Sequence, residues 1–436
     1  MESPLLYGLL YVILLFTLLS ARMWIATTLG LVGIVGLTFV VGGGAVSMIG
    51  PLQFNSTNLF VYTMIPLFIF MGELFSQGRF GDRLYEGATE WVGFLPGGLL
   101  HANVVACALF AAISGSSMAT AATIGSVAIE ELEKRQYDRR LLYGSLAAGG
   151  TLGILIPPSL SMVIYGAFVG ESIAQLFIGG IVPGILLTLL FMLYIACVSI
   201  VRPHLIPDRI RMSPRRMARA LLDMWPAGLV FLMVLGTIYV GIATPTEAAA
   251  LGAGTTFILC AAFGRLTWKG LTAALTSALE VSCFLMFIII SASILSMALS
   301  MSGIPKAMAL LVGSLQLDAY TYWALLIVVY LILGCFIDGV SMMLLTIPVV
   351  YPVMMNFGFG SVWFGIALTI CIEMGQITPP VGVNLFVLDG LTGKKHYRDV
   401  ILGSLPFVVL ELLGLIIITI FPALVTWLPG FIIQRF

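Results

Sequence analysis

The chain has 436 residues, of which 60% are hydrophobic and 9% charged, with 20 basic and 20 acidic side chains in balance. Soluble globular proteins carry about 25% charged residues, so a soluble fold is excluded, and zero net charge leaves no basic surface for nucleic acid. The apolar runs are continuous rather than alternating in segments of about ten residues, which excludes a membrane β-barrel and leaves an all-α polytopic membrane protein.

Apolar runs of spanning length fall at 4–20, 24–42 and 59–77. The first lacks a basic flank and a small-residue cleavage site, so it reads as a retained span rather than a signal peptide. A polar stretch, Gln53 to Asn58, separates the second run from the third, and the charged segment from Arg79 to Trp91 is expected along the interface. Residues 97–134 form two apolar limbs around Ser114-Gly115-Ser116-Ser117. Each limb reaches only roughly 20–24 Å as helix, short of a core of about 30 Å, so a re-entrant hairpin is expected. An interrupted span at 141–169, a further span at 172–200 and an Arg-rich loop at 202–223 follow. Spans resume at 225–242, 247–263 and 271–301. A second interfacial segment (305–315), a second hairpin (320–356, tip Asp338-Gly339-Val340-Ser341), a second interrupted span (361–390) and a last span (400–428) complete the chain.

The interrupted spans carry Gly153-Ile154-Leu155-Ile156-Pro157-Pro158 and Gly375-Gln376-Ile377-Thr378-Pro379-Pro380. Proline lacks an amide donor and clashes with the preceding turn, so each helix must open there and free some carbonyls. In hydrocarbon such carbonyls need occupants or a wet cavity. Paired helix breaks in matching halves point to the binding site of a secondary transporter.

The halves match. Gly78 and Gly303, Gly115 and Gly339, Pro157 and Pro379, and Pro183 and Pro406 stand 225, 224, 222 and 223 residues apart, a near-constant offset that reads as duplication. The expected organisation is a first repeat (1–201, hairpin 97–134, broken helix 141–169), a linker (202–223) and a second repeat (224–436, hairpin 320–356, broken helix 361–390). With the linker in the cytoplasm and each hairpin returning to its own side, 18 of the 20 basic residues fall inside, leaving Lys306 and Arg435 outside. Ten transmembrane helices plus two re-entrant hairpins satisfy that count. Both termini are then periplasmic and the repeats are inverted.

The two tips and two breaks supply hydroxyls (Ser114, Ser116, Ser117, Ser341, Thr378), amides (Gln376, Asn384), one carboxylate (Asp338) and free backbone groups. Sodium takes several hard oxygen ligands, and helix N-termini favour an anionic substrate group. No arginine stands at this depth, so the charge of an anionic substrate must be balanced by helix ends and bound cations, a reason to expect cation coupling. Of the other acids, Glu373 helps shape the cavity, Glu280 and Glu411 read equally well as hydrogen-bonded between helices, and Glu247 in Thr244-Pro245-Thr246-Glu247 caps a helix. The six cysteines read as small packing residues, and none of the three histidines has a metal-ligand spacing.

Ser114-Gly115-Ser116-Ser117, Gly153 through Ser159, Ala243-Thr244-Pro245-Thr246-Glu247-Ala248 and Gly375 through Asn384 together resemble the large, M-type membrane subunit of the TRAP family, tripartite ATP-independent periplasmic transporters. The resemblance covers essentially the whole chain. It implies sodium-coupled uptake of an organic acid across a bacterial inner membrane by an elevator movement, with no cofactor beyond Na+ as coupling ion. Its partners would be a small four-helix membrane subunit, expected as a separate chain, a periplasmic substrate-binding protein and membrane lipids. The substrate and ion site would comprise Ser114, Gly115, Ser116, Ser117, Gly153, Pro157, Pro158, Ser159, Asp338, Gly339, Ser341, Gly375, Gln376, Thr378, Pro379, Pro380 and Asn384. Sodium would lie near Ser116, Gly153, Asp338, Ser341 and Thr378. A cation-coupled dicarboxylate symporter working without a binding protein is the main alternative. A passive channel and an intramembrane protease rank lower, since the polar groups cluster at one depth and no base stands near Ser116 or Ser117.

Overall fold

A computed structural model describes residues 2–207 and 213–433, so Arg209, Arg211 and Arg435 lie outside the described residues. Every regular element among the described residues is helical. Among the described residues, six helices are long and apolar enough to cross a membrane alone, and a seventh span arises if Pro214–Asp223 and Trp225–Tyr239, bent by 49° at Met224, are joined. Shorter apolar helices include Pro4–Ser20, Ile25–Val41 and Ser361–Gln376.

The chain sorts into an outer frame and an inner group. In the frame, Trp268–Met301 packs against Ile25–Val35 and Met64–Gln77, and Pro245–Ala262 lies against Met64–Gln77. Thr244 and Glu247 form a complete capping box at the start of Pro245–Ala262, which satisfies two amide groups the helix cannot pair itself. In the inner group, Leu99–Ser114 and Ser117–Lys134 form the first hairpin and flank Arg139–Leu155. Ala319–Gly334 and Gly339–Asn356 form the second and flank Ser361–Gln376. Ile173–Val201 and Tyr397–Ile420 close the group.

The breaks fall at the double prolines. Arg139–Leu155 gives way to an extended Ile156 and resumes as Leu160–Val169; Ser361–Gln376 ends before Ile377 and resumes as Val383–Leu391. The Pro157–Pro158 and Pro379–Pro380 peptide bonds are both cis.

Three local expectations are corrected. Gln53 to Asn58 is not simply a polar separator, because Ile49–Thr57 is helical. Part of the supposed loop at 202–223 is the helix Pro214–Asp223, strongly amphipathic, opened by Pro214 at its first position. The last span is two helices, Tyr397–Ile420 and Ala423–Ile433, since Pro422 cannot continue the ladder. Cys107, Cys260 and Cys371 are buried as packing residues would be, whereas Cys197 and Cys283 face outward.

Candidate functional site

The first hairpin turns at Gly115, which adopts the left-handed conformation (φ +60°) that glycine tolerates without a Cβ penalty. Ser116 is extended and caps the returning limb, accepting the amide of Ala119 at 3.4 Å. Thr120 gives its one proton to the Ser116 carbonyl at 2.8 Å, so Ser114 is the donor in the 2.9 Å hydroxyl pair with Thr120. The tip sits on the first break. The amide of Leu160 donates to the Gly115 carbonyl at 3.4 Å. A Cβ on Gly115 would stand 2.7 Å from the Pro158 carbonyl oxygen, and one on Gly153 would stand 2.6 Å from the Ser116 carbonyl oxygen. Glycine at both places lets backbone meet backbone. Ser159 caps the resumed helix and donates to the Ile154 carbonyl. Pro157, Pro158, Ser159, Ser114 and Ser117 are all buried.

The second tip repeats the plan with different chemistry. Asp338 stands where the first hairpin has Ser116, as the cap of the returning limb, and accepts the amide of Ser341 at 3.1 Å. Gly334 and Gly375 press together so closely that a Cβ on Gly334 would lie 2.5 Å from the Gly375 Cα. The Cys335 thiol reaches the Pro379 carbonyl at 3.2 Å. Gln376 lies against Gly339. Carbonyls freed by the break are met by Thr378, which donates to Met374 at 2.5 Å, and by Ser404, whose one proton is shared between the carbonyls of Ile401 at 2.9 Å and Ile377 at 3.1 Å. Pro380 is exposed and accepts from the Tyr397 hydroxyl at 2.7 Å.

Unpartnered oxygens belong to the second tip and break themselves. Ser341 Oγ, fully buried at 0% exposure, has no hydrogen-bond partner, nor does Gln376 Oε1. Behind them, both carboxyl oxygens of buried Glu373 lack partners. Glu411 lies close enough to Glu373 to interact with it electrostatically, and it accepts the Thr151 hydroxyl at 2.7 Å. None of the hydroxyls at the first tip is left in this state. A set of buried oxygens short of donors suits a hard cation better than an anion, and no cluster of three His, Cys, Asp or Glu side chains exists among the described residues.

Asn384 is placed apart from the second tip. Its amide donates to Ser117 of the first hairpin at 2.6 Å, leaving Asn384 Oδ1 unpartnered. The far arm of the second broken span thus lies on the first hairpin. Reciprocally, Tyr165 on the far arm of the first broken span donates to the Ser361 carbonyl at 2.8 Å. Thr120, Thr151 and Ser404 belong to the site but escaped sequence reasoning. Thr120 could have been found four residues after Ser116, on the same helical face; Ser404, 27 residues from Ile377, carries no local signal.

A cavity of about 1040 Å³ opens between the first hairpin's returning limb, the amphipathic helix Phe80–Val92 and the helix Pro214–Asp223. It is lined by Arg79, Arg83, Lys134, Arg216 and Arg219 and by acids that include Glu86, Glu90 and Glu130. Arg79 pairs with Asp82 at 2.9 Å and Lys134 with Glu130 at 2.6 Å. Its wall includes Ser76 and Thr123, whose hydroxyls meet at 3.2 Å. Thr123 lies about 10 Å along the helix from Ser116, and none of the tip or break residues lines the cavity.

The family description "Tripartite ATP-independent periplasmic transporter, DctM component" matches residues 12–424. The chain belongs to the TRAP transporters. It is 36% identical over 87% of its length to the C4-dicarboxylate TRAP transporter large permease protein DctM of Pseudomonas aeruginosa, covering 88% of that protein. It is 33% identical over 91% of its length to the isethionate TRAP transporter permease protein DctMQ of Oleidesulfovibrio alaskensis, covering 63% of that longer chain. The crystal structure of the Alcanivorax borkumensis YdaH transporter shares the fold, with a TM-score of 0.62, 14% identity and 99% of each chain covered. This TRAP chain is therefore a multi-pass inner-membrane permease subunit and not an enzyme, in a family that works with a small membrane subunit and a periplasmic binding protein.

Proposed function

We propose that this TRAP permease couples uptake of a small organic anion to an inward sodium gradient, with sodium held at the two tip-and-break pairs. The observation that carries the reading is the group of unpartnered buried acceptors around the second tip, Ser341 Oγ and Gln376 Oε1, beside the Asp338 carboxylate. Sodium would take its oxygen ligands there and the corresponding backbone and hydroxyl oxygens at Ser116, Gly153 and Thr378. The substrate, without an arginine to meet it, would rest on the N-termini of the returning limbs and on the charge of the bound ions. The substrates named for the relatives, a C4-dicarboxylate and isethionate, are both small organic anions and support that class.

In this reading the inner group of hairpins and broken spans moves as an elevator against the outer frame. The cavity between the first hairpin and the two amphipathic helices is then the route of release on the cytoplasmic side. The basic residues favour that side as cytoplasmic and both termini as periplasmic. Each net positive charge carried inward would gain roughly 2.3 kcal/mol per 100 mV.

The test is uptake of radiolabelled carboxylates into proteoliposomes holding both membrane subunits, with the cognate binding protein outside. Uptake should require the binding protein, stop when the sodium gradient is collapsed, and accelerate with an inside-negative potential. Uptake that persists with potassium replacing sodium throughout would overturn the coupling.

A further inference from the structure

Trp268–Met301 is the longest helix of the frame, about 51 Å at the usual rise. A hydrocarbon core of about 30 Å leaves roughly 10 Å of it outside at each end. Glu280 stands twelve residues in, about 18 Å from the helix start and so about 8 Å inside the apolar layer. Its side is exposed, between Leu279 at 62% and Phe284 at 44% exposure. No hydrogen bond or ion pair of Glu280 exists among the described residues. The sequence reading of Glu280 as bonded between helices of this chain is thus corrected, because the side chain points away from the bundle. One turn earlier on the same face, Ser277 donates to Glu73 of Met64–Gln77 at 2.9 Å, so a second carboxylate sits at the same seam.

A lone acid turned toward lipid is costly and is rarely kept without a partner. Lys269 is about 16 Å away along the helix, and Arg265 donates instead to the carbonyls of Gly78 and Arg79. The surrounding face is built for close approach. Ala273, Thr276 and Cys283 are small and exposed at helical spacing around Glu280, the pattern of helix–helix contacts in membranes. A second copy of this chain does not fit, since among the described residues its basic side chains stand at helix ends, in connections and on the amphipathic helices Phe80–Val92 and Pro214–Asp223, none within a long apolar helix beyond its first turn. We propose that this face seats a transmembrane helix of the small membrane subunit that carries a lysine or arginine at the depth of Glu280. The proposal rests on the family reading that such a subunit exists.

Cys283 is a built-in reporter of this seat, and Cys197, exposed on Ile173–Val201, is the control. In detergent, N-ethylmaleimide labelling of each cysteine is followed by peptide mass spectrometry, with the large subunit alone and with the small subunit co-expressed. Cys283 labelling should slow by about tenfold in the complex while Cys197 labelling holds. Glu280→Lys should lower recovery of the small subunit roughly tenfold, the scale of one lost charge-assisted pair, and Glu280→Gln less. The thermal stability of the large subunit alone should be unchanged in both variants. Equal Cys283 labelling with the small subunit verifiably bound would overturn the seat and leave lipid as its occupant. Protection of Cys283 in the large subunit alone, at the mass of a dimer, would overturn it in favour of a second copy. A wild-type chain that never retains the small subunit would instead sink the two-subunit reading, and the seat with it.

Discussion

The two tip-and-break pairs use one backbone plan and two chemistries. At the first tip, the hydroxyls of Ser114, Thr120 and Ser159 are taken up by one another and by nearby carbonyls, Ser117 accepts the Asn384 amide, and the double proline is buried. At the second, a carboxylate replaces Ser116 as the cap, Pro380 is exposed, and Ser341 and Gln376 keep oxygens without partners. A fully paired buried network fixes a conformation, while an incompletely paired one is costly unless something fills it. The second pair is therefore the better place to look for a ligand's energetic effect, and the first the better place to look for a structural one.

The largest effects should come from the glycines that both pairs share. Gly375→Val would push a branched side chain into the Gly334 backbone and Gly153→Val into the Ser116 carbonyl. Each should abolish uptake and lower the melting temperature of the purified subunit. If both variants transport normally, the close backbone contact has no bearing on function.

Asp338 separates charge from capping. Asp338→Ala should lose uptake and about 1 kcal/mol of stability. Asp338→Asn keeps a capping oxygen and should hold most of the stability while losing uptake, because an amide is a poorer partner for sodium in a low-dielectric site. Near-normal sodium-driven uptake by the asparagine variant would return Asp338 to a purely structural role.

A smaller, more discriminating contrast lies between two serines. Ser341→Ala removes an unpartnered oxygen and should raise the sodium concentration for half-maximal uptake several-fold with no loss of stability. Ser116→Ala removes a cap and should cost about 1 kcal/mol, with the smaller change in sodium dependence. The opposite ranking, read from sodium titrations and thermal melts, would reverse the assignment of the two tips.

The smallest effect concerns how each hairpin begins. Asp318, before Ala319–Gly334, accepts the Thr321 hydroxyl and amide and the Tyr320 amide, which hold its carboxyl below the usual aspartate range. The first hairpin has Gly98 there, and the Tyr137 hydroxyl takes up the Leu99 amide at 3.1 Å. A lowered folded pKa stabilises above the unfolded value, about 3.9, and that gain is lost as pH falls through the folded one. The melting difference between wild type and Asp318→Asn should thus be full at pH 6 and shrink in strong acid. A difference that grows with acidity would contradict this cap.

Much of the architecture was legible because its signals are local. Pro157-Pro158 and Pro379-Pro380 forbid a continuous helix wherever they sit, Gly115 marks a turn, and Thr244 with Glu247 spells a capping box. The direction of long side chains was not legible. Glu280 was expected among helices and faces outward, because a helix buried along its second half and open along its first carries no sign of that change in its apolar composition. Asn384 was grouped with both tips and both breaks, but its particular partner, Ser117, 267 residues away, was not foreseen. Such partners depend on how spans are stacked, which spacing along one span does not encode.

That contact, with its counterpart from Tyr165 to Ser361, changes what the Arg-rich stretch at 202–223 divides. Each broken span reaches across and fastens its far arm to the other half, as two hooks clasp. A cut at the linker would separate two lengths of sequence but not two bodies. Whatever displaces the first hairpin pulls on Asn384, and through it on the stretch that runs back to the second break.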